Sequence, residues 1–191
     1  MYDKMALFSD RSYTRVMVFI DYRNVFEPIH NTTFRDTRLD LYRLTQILVG
    51  SRELIGAYVF DSVERNAAPD DETVATHNKL RESGFRVVTY DLQHTDIGTV
   101  QKEVDVSLGV EMVEHALLNH YDVAIVISGD RDFFPAMRKV QAAGKRVEVA
   151  AFDSTRGEEW KRTADMYYLL DKIPMLSLSS PICDMGVGYR D

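Results

Sequence analysis

Cysteine is almost missing: the 191 residues contain one, Cys183, so no internal disulfide can form and no cysteine cluster can hold zinc. Long apolar runs are missing too. The longest are of strand length, which excludes a membrane-spanning helix, and the first ten residues contain no signal-peptide core, so a soluble cytoplasmic protein is expected. The five histidines, His30, His77, His94, His115 and His120, show no His-x-x-x-His spacing and read as surface or helix-packing residues. No Gly-x-Gly-x-x-Gly follows the first apolar run, and no Gly-x-x-x-x-Gly-Lys-Ser/Thr loop occurs, so the common dinucleotide and nucleotide cradles are excluded. Basic excess is also lacking. A net charge of -7 argues against a broad basic surface for non-specific nucleic-acid binding, while leaving room for a local basic rim.

What is present is an alternation of apolar runs and helical patterns. Arg15–Ile20, Leu54–Phe60, Phe85–Tyr90, Val123–Ile127 and Arg146–Ala151 read as strands, with a sixth at Met166–Leu170. Between them, Leu39–Val49 has helical spacing and stops at Gly50. A second helix opens at Pro69 and ends near Gly84, a third spans Glu103–Leu118, a fourth runs Asp132–Ala143 before Gly144, and a short one covers Glu158–Ala164. The third has so wide an apolar face, including Val106, Val110, Val113 and Leu117, that it is expected to be clamped between the sheet and its neighbours. Residues 92–100 read as a polar loop. Strands alternating with helices predict a Rossmann-like three-layer α/β/α domain over residues 15–171. Its mostly parallel sheet takes the strand order 3-2-1-4-5, with an arm at 1–14 and a tail at 172–191.

Two of the apolar runs stop at a carboxylate. Val-Phe-Ile-Asp21-Tyr-Arg-Asn24 closes the first strand, and Val-Ile-Ser128-Gly129-Asp130-Arg131-Asp132 follows the fourth. Strand order 3-2-1-4-5 makes those strands neighbours at the point where the order reverses, and ligands in such sheets bind beyond the carboxyl ends there. Asp105, in the first turn of the helix leading into strand four, can face the same crevice, so the order permits all three carboxylates to meet. Buried carboxylates are costly unless paired or metal-bound. Asp21, Asp105 and Asp130 therefore form the expected ligand set for Mg²⁺ or Mn²⁺, directly or through water. Asp132 is either a fourth member of this catalytic group or the cap of the next helix. Asn24 can bond a carboxylate or a phosphate oxygen, or simply make a turn. Ser128 and the backbone N–H groups around Gly129 can cradle a phosphate. Lys102 and Arg131 flank the acids, either to contact substrate phosphates or to balance charge. Phosphodiester hydrolysis is the matching chemistry.

Phe19-Ile-Asp21-x-x-Asn24, Lys102-x-x-Asp105-Val and Ser128-Gly129-Asp130-x-Asp132-Phe133, in this order, resemble the NYN domain family, LabA-like branch, of the PIN-like nucleases. Gly144-Lys-Arg-Val-Glu-Val and Ala164-Asp165 are similar to that family's ending. The resemblance implies a metal-dependent ribonuclease acting on RNA or single-stranded nucleic acid through Mg²⁺ or Mn²⁺ on Asp21, Asp105 and Asp130, with Asp132 and Asn24 in support. It departs at Glu103, where the family usually has glycine. Two alternatives stand beside it. One is a non-catalytic binding or regulatory module on the same fold. The other is a phosphatase with Asp21 as nucleophile, which lacks the Asp-x-Asp pattern because Tyr22 and Arg23 follow. The sequence leaves a homodimer open.

Overall fold

The computed structural model describes residues 14–31, 39–65, 68, 71–95, 98–100, 102–152 and 158–173. The proposed arm up to residue 13, the tail from 174 and the helix start at Pro69 lie outside the described residues.

β1 (Arg15–Asp21) is buried along nearly its whole length, as its unbroken apolar run requires of a central strand. It pairs in parallel with β2 (Glu53–Val63) on one side and β6 (Val123–Ile127) on the other. β3 (Arg86–Asp91) extends the sheet beyond β2, and β7 (Arg146–Ala151) and β8 (Met166–Leu169) extend it beyond β6. The result is a six-stranded sheet of order β3-β2-β1-β6-β7-β8. Counting only the strands of this sheet, that is 3-2-1-4-5-6, the expected order with the sixth strand at its edge. The order reverses between β1 and β6.

Helices cover both faces. α1 (Tyr22–Asn31), α2 (Leu41–Val49) and α3 (Glu72–Glu82) carry the chain from β1 through β2 to β3. The core they cover includes Val16, Val18, Ile20, Leu44, Val59 and Ile125. α4 (Lys102–Leu117), α5 (Phe134–Ala142) and α6 (Glu158–Thr163) lie over the opposite core, which includes Phe19, Phe60, Leu108, Met112, Val126 and Trp160. α2 ends at Gly50, whose φ of +62° is readily available only to a residue without a Cβ. Gly144, at φ +78°, turns the chain out of α5 in the same way.

Several elements differ from the sequence expectations. α1 has no counterpart there: Tyr22, Val25 and Phe26 pack on the core, and this tertiary contact overrides a segment that reads locally as a turn. α3 is capped by Asp71, whose carboxylate accepts from the N–H groups of Thr73 and Val74, so the helix begins at Glu72. The loop expected at 92–100 contains an antiparallel hairpin, β4 (Gln93–Thr95) with β5 (Gly98–Val100), whose strands are too short to show a period of two. α4 buries only Val104, Leu108, Met112 and Ala116 against the sheet; Val106, Val110 and Leu117 are exposed, so the helix is not clamped on its outer side. The helix expected from Asp132 is a 3-10 turn, Arg131–Phe133, followed by α5 with Pro135 in its first turn. Ile173, just past residue 171, also packs on the core.

Candidate metal centre

Parallel pairing sets Ile20 of β1 opposite Ile127 of β6, so the next residues, Asp21 and Ser128, leave the sheet side by side. Asp21 is 4% exposed. The Ser128 hydroxyl donates to Asp21 Oδ2 at 3.0 Å and accepts from the Asp130 backbone N–H at 3.0 Å. The Asn24 backbone N–H donates to Asp21 Oδ1 at 3.3 Å. The Asn24 side chain accepts from the Gly129 N–H at 2.7 Å, tying the first turn of α1 to the loop after β6. Asn24 and Ser128, expected near substrate, thus spend these hydrogen bonds within the protein, fixing the two strand ends relative to each other.

Asp130 is half-buried and caps the 3-10 turn, accepting from the Asp132 N–H at 2.9 Å. The capping role considered for Asp132 therefore belongs to Asp130. Asp132 and Arg131 are exposed at the start of this turn. Asp105 is half-buried in the first turn of α4, where the helix dipole favours its charge. Glu103 is exposed in the same turn. Lys102 opens α4, and its side chain lies outside the described residues.

Electrostatics links the acids. Burial raises the Asp21 carboxyl to about 7; the Asn24 N–H and the Ser128 hydroxyl oppose the rise, and the charges of Asp105 and Asp130 add to it. Asp105 is raised to about 6, first by burial and then by Asp130 and Asp132. Asp21 thus feels Asp105 and Asp130, and Asp105 feels Asp130 and Asp132.

Among the described residues, no three His, Cys, Asp or Glu side chains are already gathered so as to hold an ion between them. The donor set nevertheless fits Mg²⁺ or Mn²⁺. Asp21 is a buried carboxylate whose described hydrogen-bond partners are neutral donors and whose nearest charged influences are two more acids. That is an electrostatic deficit of the sign a divalent cation fills. Such ions take hard oxygen ligands, usually one or two protein carboxylates with water completing the shell.

A match to the NYN domain spans residues 15–171. The chain belongs to the NYN domain family. These domains are PIN-like nucleases that generally use divalent metal ions. A crystal structure of a protein of unknown function from Vibrio parahaemolyticus RIMD 2210633 has the same fold. Its TM-score is 0.70 at 20% identity, covering 86% of this chain and 98% of that one. No curated protein matches the chain. No helix among the described residues of this NYN domain is long and apolar enough to cross a membrane.

One polar cluster beside the centre is absent from the sequence expectations. Asp61, at the end of β2, is buried with its Oδ2 2.8 Å from His77 Nε2 and its Oδ1 3.6 Å from Arg23 Nε. The Ser62 N–H also donates to it. The Tyr22 ring meets His77 edge-on, and its hydroxyl is pushed up to about 12 by burial, with the charges of Asp61 and Glu72 adding. Val59-Phe60-Asp61 repeats the pattern of an apolar strand stopping at a carboxylate, so a signal was available. Unlike Asp21, this acid has an arginine and a histidine ring among its described partners.

Proposed function

We propose that this NYN domain is a metal-dependent ribonuclease that hydrolyses phosphodiester bonds of RNA or single-stranded nucleic acid at Asp21, Asp105 and Asp130, with Asp132 at the rim. The observation that carries the reading is the deeply buried Asp21 carboxyl at the strand-order reversal, raised first by burial and then by two neighbouring acids, with only neutral hydrogen-bond donors among its described partners. Bound there, Mg²⁺ or Mn²⁺ supplies Lewis-acid polarisation of the scissile phosphate and acidifies the attacking water. The chain's own residues do the positioning. Ser128 bridges Asp21 to the Asp130 backbone, and Asn24 holds the Gly129 amide. Exposed Arg131, and Lys102 at the start of α4, would meet the phosphates of the bound strand. The absence of a gathered ligand trio among the described residues favours a second reading, a non-catalytic module of the same fold.

The test is cleavage of labelled single-stranded RNA in Mn²⁺ by wild type and Asp130→Asn purified in parallel. A nuclease centred on these acids loses activity by about two orders of magnitude or more in the variant. Equal cleavage by both proteins points to a contaminant and removes the assignment. No cleavage by either, with RNA still bound, selects the non-catalytic module.

A further inference from the structure

Asp61 stands at the same end of the sheet as the acidic centre. In the parallel pairing of β1 with β2, Asp21 lies opposite Phe60, so Asp61 is one residue further along the neighbouring strand. β2 and β6 lie on opposite sides of β1. Asp130 follows β6, and Asp61 therefore marks the other flank of Asp21.

The Asp61 carboxylate is fixed from inside the protein. It belongs to a residue 2% exposed, and His77 of α3, which meets Oδ2 at 2.8 Å, is 1% exposed. The Ser62 N–H donates to Oδ1 at 2.8 Å. The Tyr22 ring, stacked on Phe26, packs edge-on against His77. Arg23 is different. Its side chain is 34% exposed, and its Nε approaches Asp61 Oδ1 at 3.6 Å, longer than a hydrogen bond. A partly exposed pair of that length contributes little to stability. Its larger consequence is restraint: a buried, immobile carboxylate holds a long, flexible cation at the protein surface. Arg23 sits in the first turn of α1, two residues past Asp21.

A guanidinium is a planar fork of donors that matches the oxygens of a phosphate. Holding it in place beforehand lowers the ordering cost of binding. A single strand laid across the ends of β6, β1 and β2 has one phosphate over Asp21, Asp105 and Asp130 and the adjoining backbone over Arg23. We propose that Arg23 grips the phosphate next to the scissile one, with Asp61 and His77 as its positioning residues. The proposal rests on the nuclease reading of the same centre and adds a contact on the β2 flank, across Asp21 from Arg131.

The test combines cleavage kinetics with binding of a labelled single-stranded RNA by fluorescence anisotropy in Mn²⁺, the latter in an Asp130→Asn background that leaves the strand intact. Arg23→Ala should weaken binding by about fivefold to tenfold and make the plot of log affinity against log salt shallower by about 1. In cleavage, KM should rise by a similar factor with kcat within about twofold. Arg23→Lys keeps the charge without the fork, so it should restore the salt slope while affinity stays about threefold down. Lys79→Ala, on the last turn of α3 and remote from the centre, should leave the slope unchanged. A merely structural Arg23 lowers Tm in the alanine variant without moving slope or KM, and that result overturns the proposal while wild-type cleavage keeps the nuclease reading. An equal loss of slope in Lys79→Ala also overturns it, since bulk charge then explains the effect. If wild type fails to cleave but binds, the nuclease reading falls and the salt slope still decides Arg23; if it neither cleaves nor binds, both fall.

Discussion

Burial lifts the Asp21 carboxyl to about 7, against 3.8 for an ordinary aspartate, so in the ion-free protein it keeps a proton that the unfolded chain releases. Between about pH 4 and 7 the folded state binds more protons, and stability falls as pH rises through that window. Asp105, raised to about 6, adds to the fall between about pH 4 and 6. Above pH 7 the contribution of Asp21 is fully lost. Asp21→Asn removes the penalty while keeping a side chain of the same shape. It should raise ion-free stability at pH 8 by about 2–4 kcal/mol, or about 5–10 °C in Tm, and should flatten the slope between pH 5 and 8. Thermal melts at the two pH values check this; a variant less stable than wild type at pH 8 would contradict it. Asp61 is held by described partners instead. His77→Ala deprives a buried carboxylate of its closest one and should destabilise by about 3 kcal/mol in urea titrations. A loss below about 1 kcal/mol would mean that Arg23 alone suffices.

At the scale of elements, the centre depends on two turns being locked together: the start of α1 and the loop leaving β6. Asn24→Ala leaves the half-buried Gly129 N–H without its acceptor, a loss of about 1–2 kcal/mol. Exchange of the Gly129 amide should accelerate in this variant, and RNA cleavage should fall, while β3 and β7 amides are untouched. Unchanged Gly129 exchange would show that the tie is not what holds the loop. The elements also show why some parts were legible in sequence and others not. β1, β2, β6 and β7 announce themselves because a strand buried on both faces must be continuously apolar. Gly50 and Gly144 mark helix ends because their positive φ values disfavour other residues. Asp165, just before β8, accepts from the Val147 N–H through its carboxylate. α1 was hidden because its helical state is decided by contacts of Tyr22, Val25 and Phe26 with distant strands. The β4–β5 hairpin was hidden because three-residue strands carry no usable period.

Across the whole molecule, the strand order brings scattered aspartates to one end of the sheet. Asp21 and Asp130 are distant in sequence, yet β1 and β6 are neighbours where the order reverses, and α4 returns Asp105 to the same end of the sheet. That much was legible, because parallel strands with helical crossovers leave few topologies. The use of Asn24 and Ser128 as internal ties was not, because a side chain's partner depends on loop geometry that spacing does not encode. Nor could residue types alone distinguish Asp61, partnered by His77 and Arg23, from Asp21, whose described partners are neutral donors. The contrast between these two strand-end acids is the physical basis for placing a divalent ion at one and not the other. The most direct test is an anomalous difference map from crystals soaked in Mn²⁺ at a pH above 7. The account predicts a peak bounded by Asp21, Asp105 and Asp130, with at least one of these carboxylates in direct coordination. A map with no peak there, or with Mn²⁺ bound only elsewhere, would contradict it.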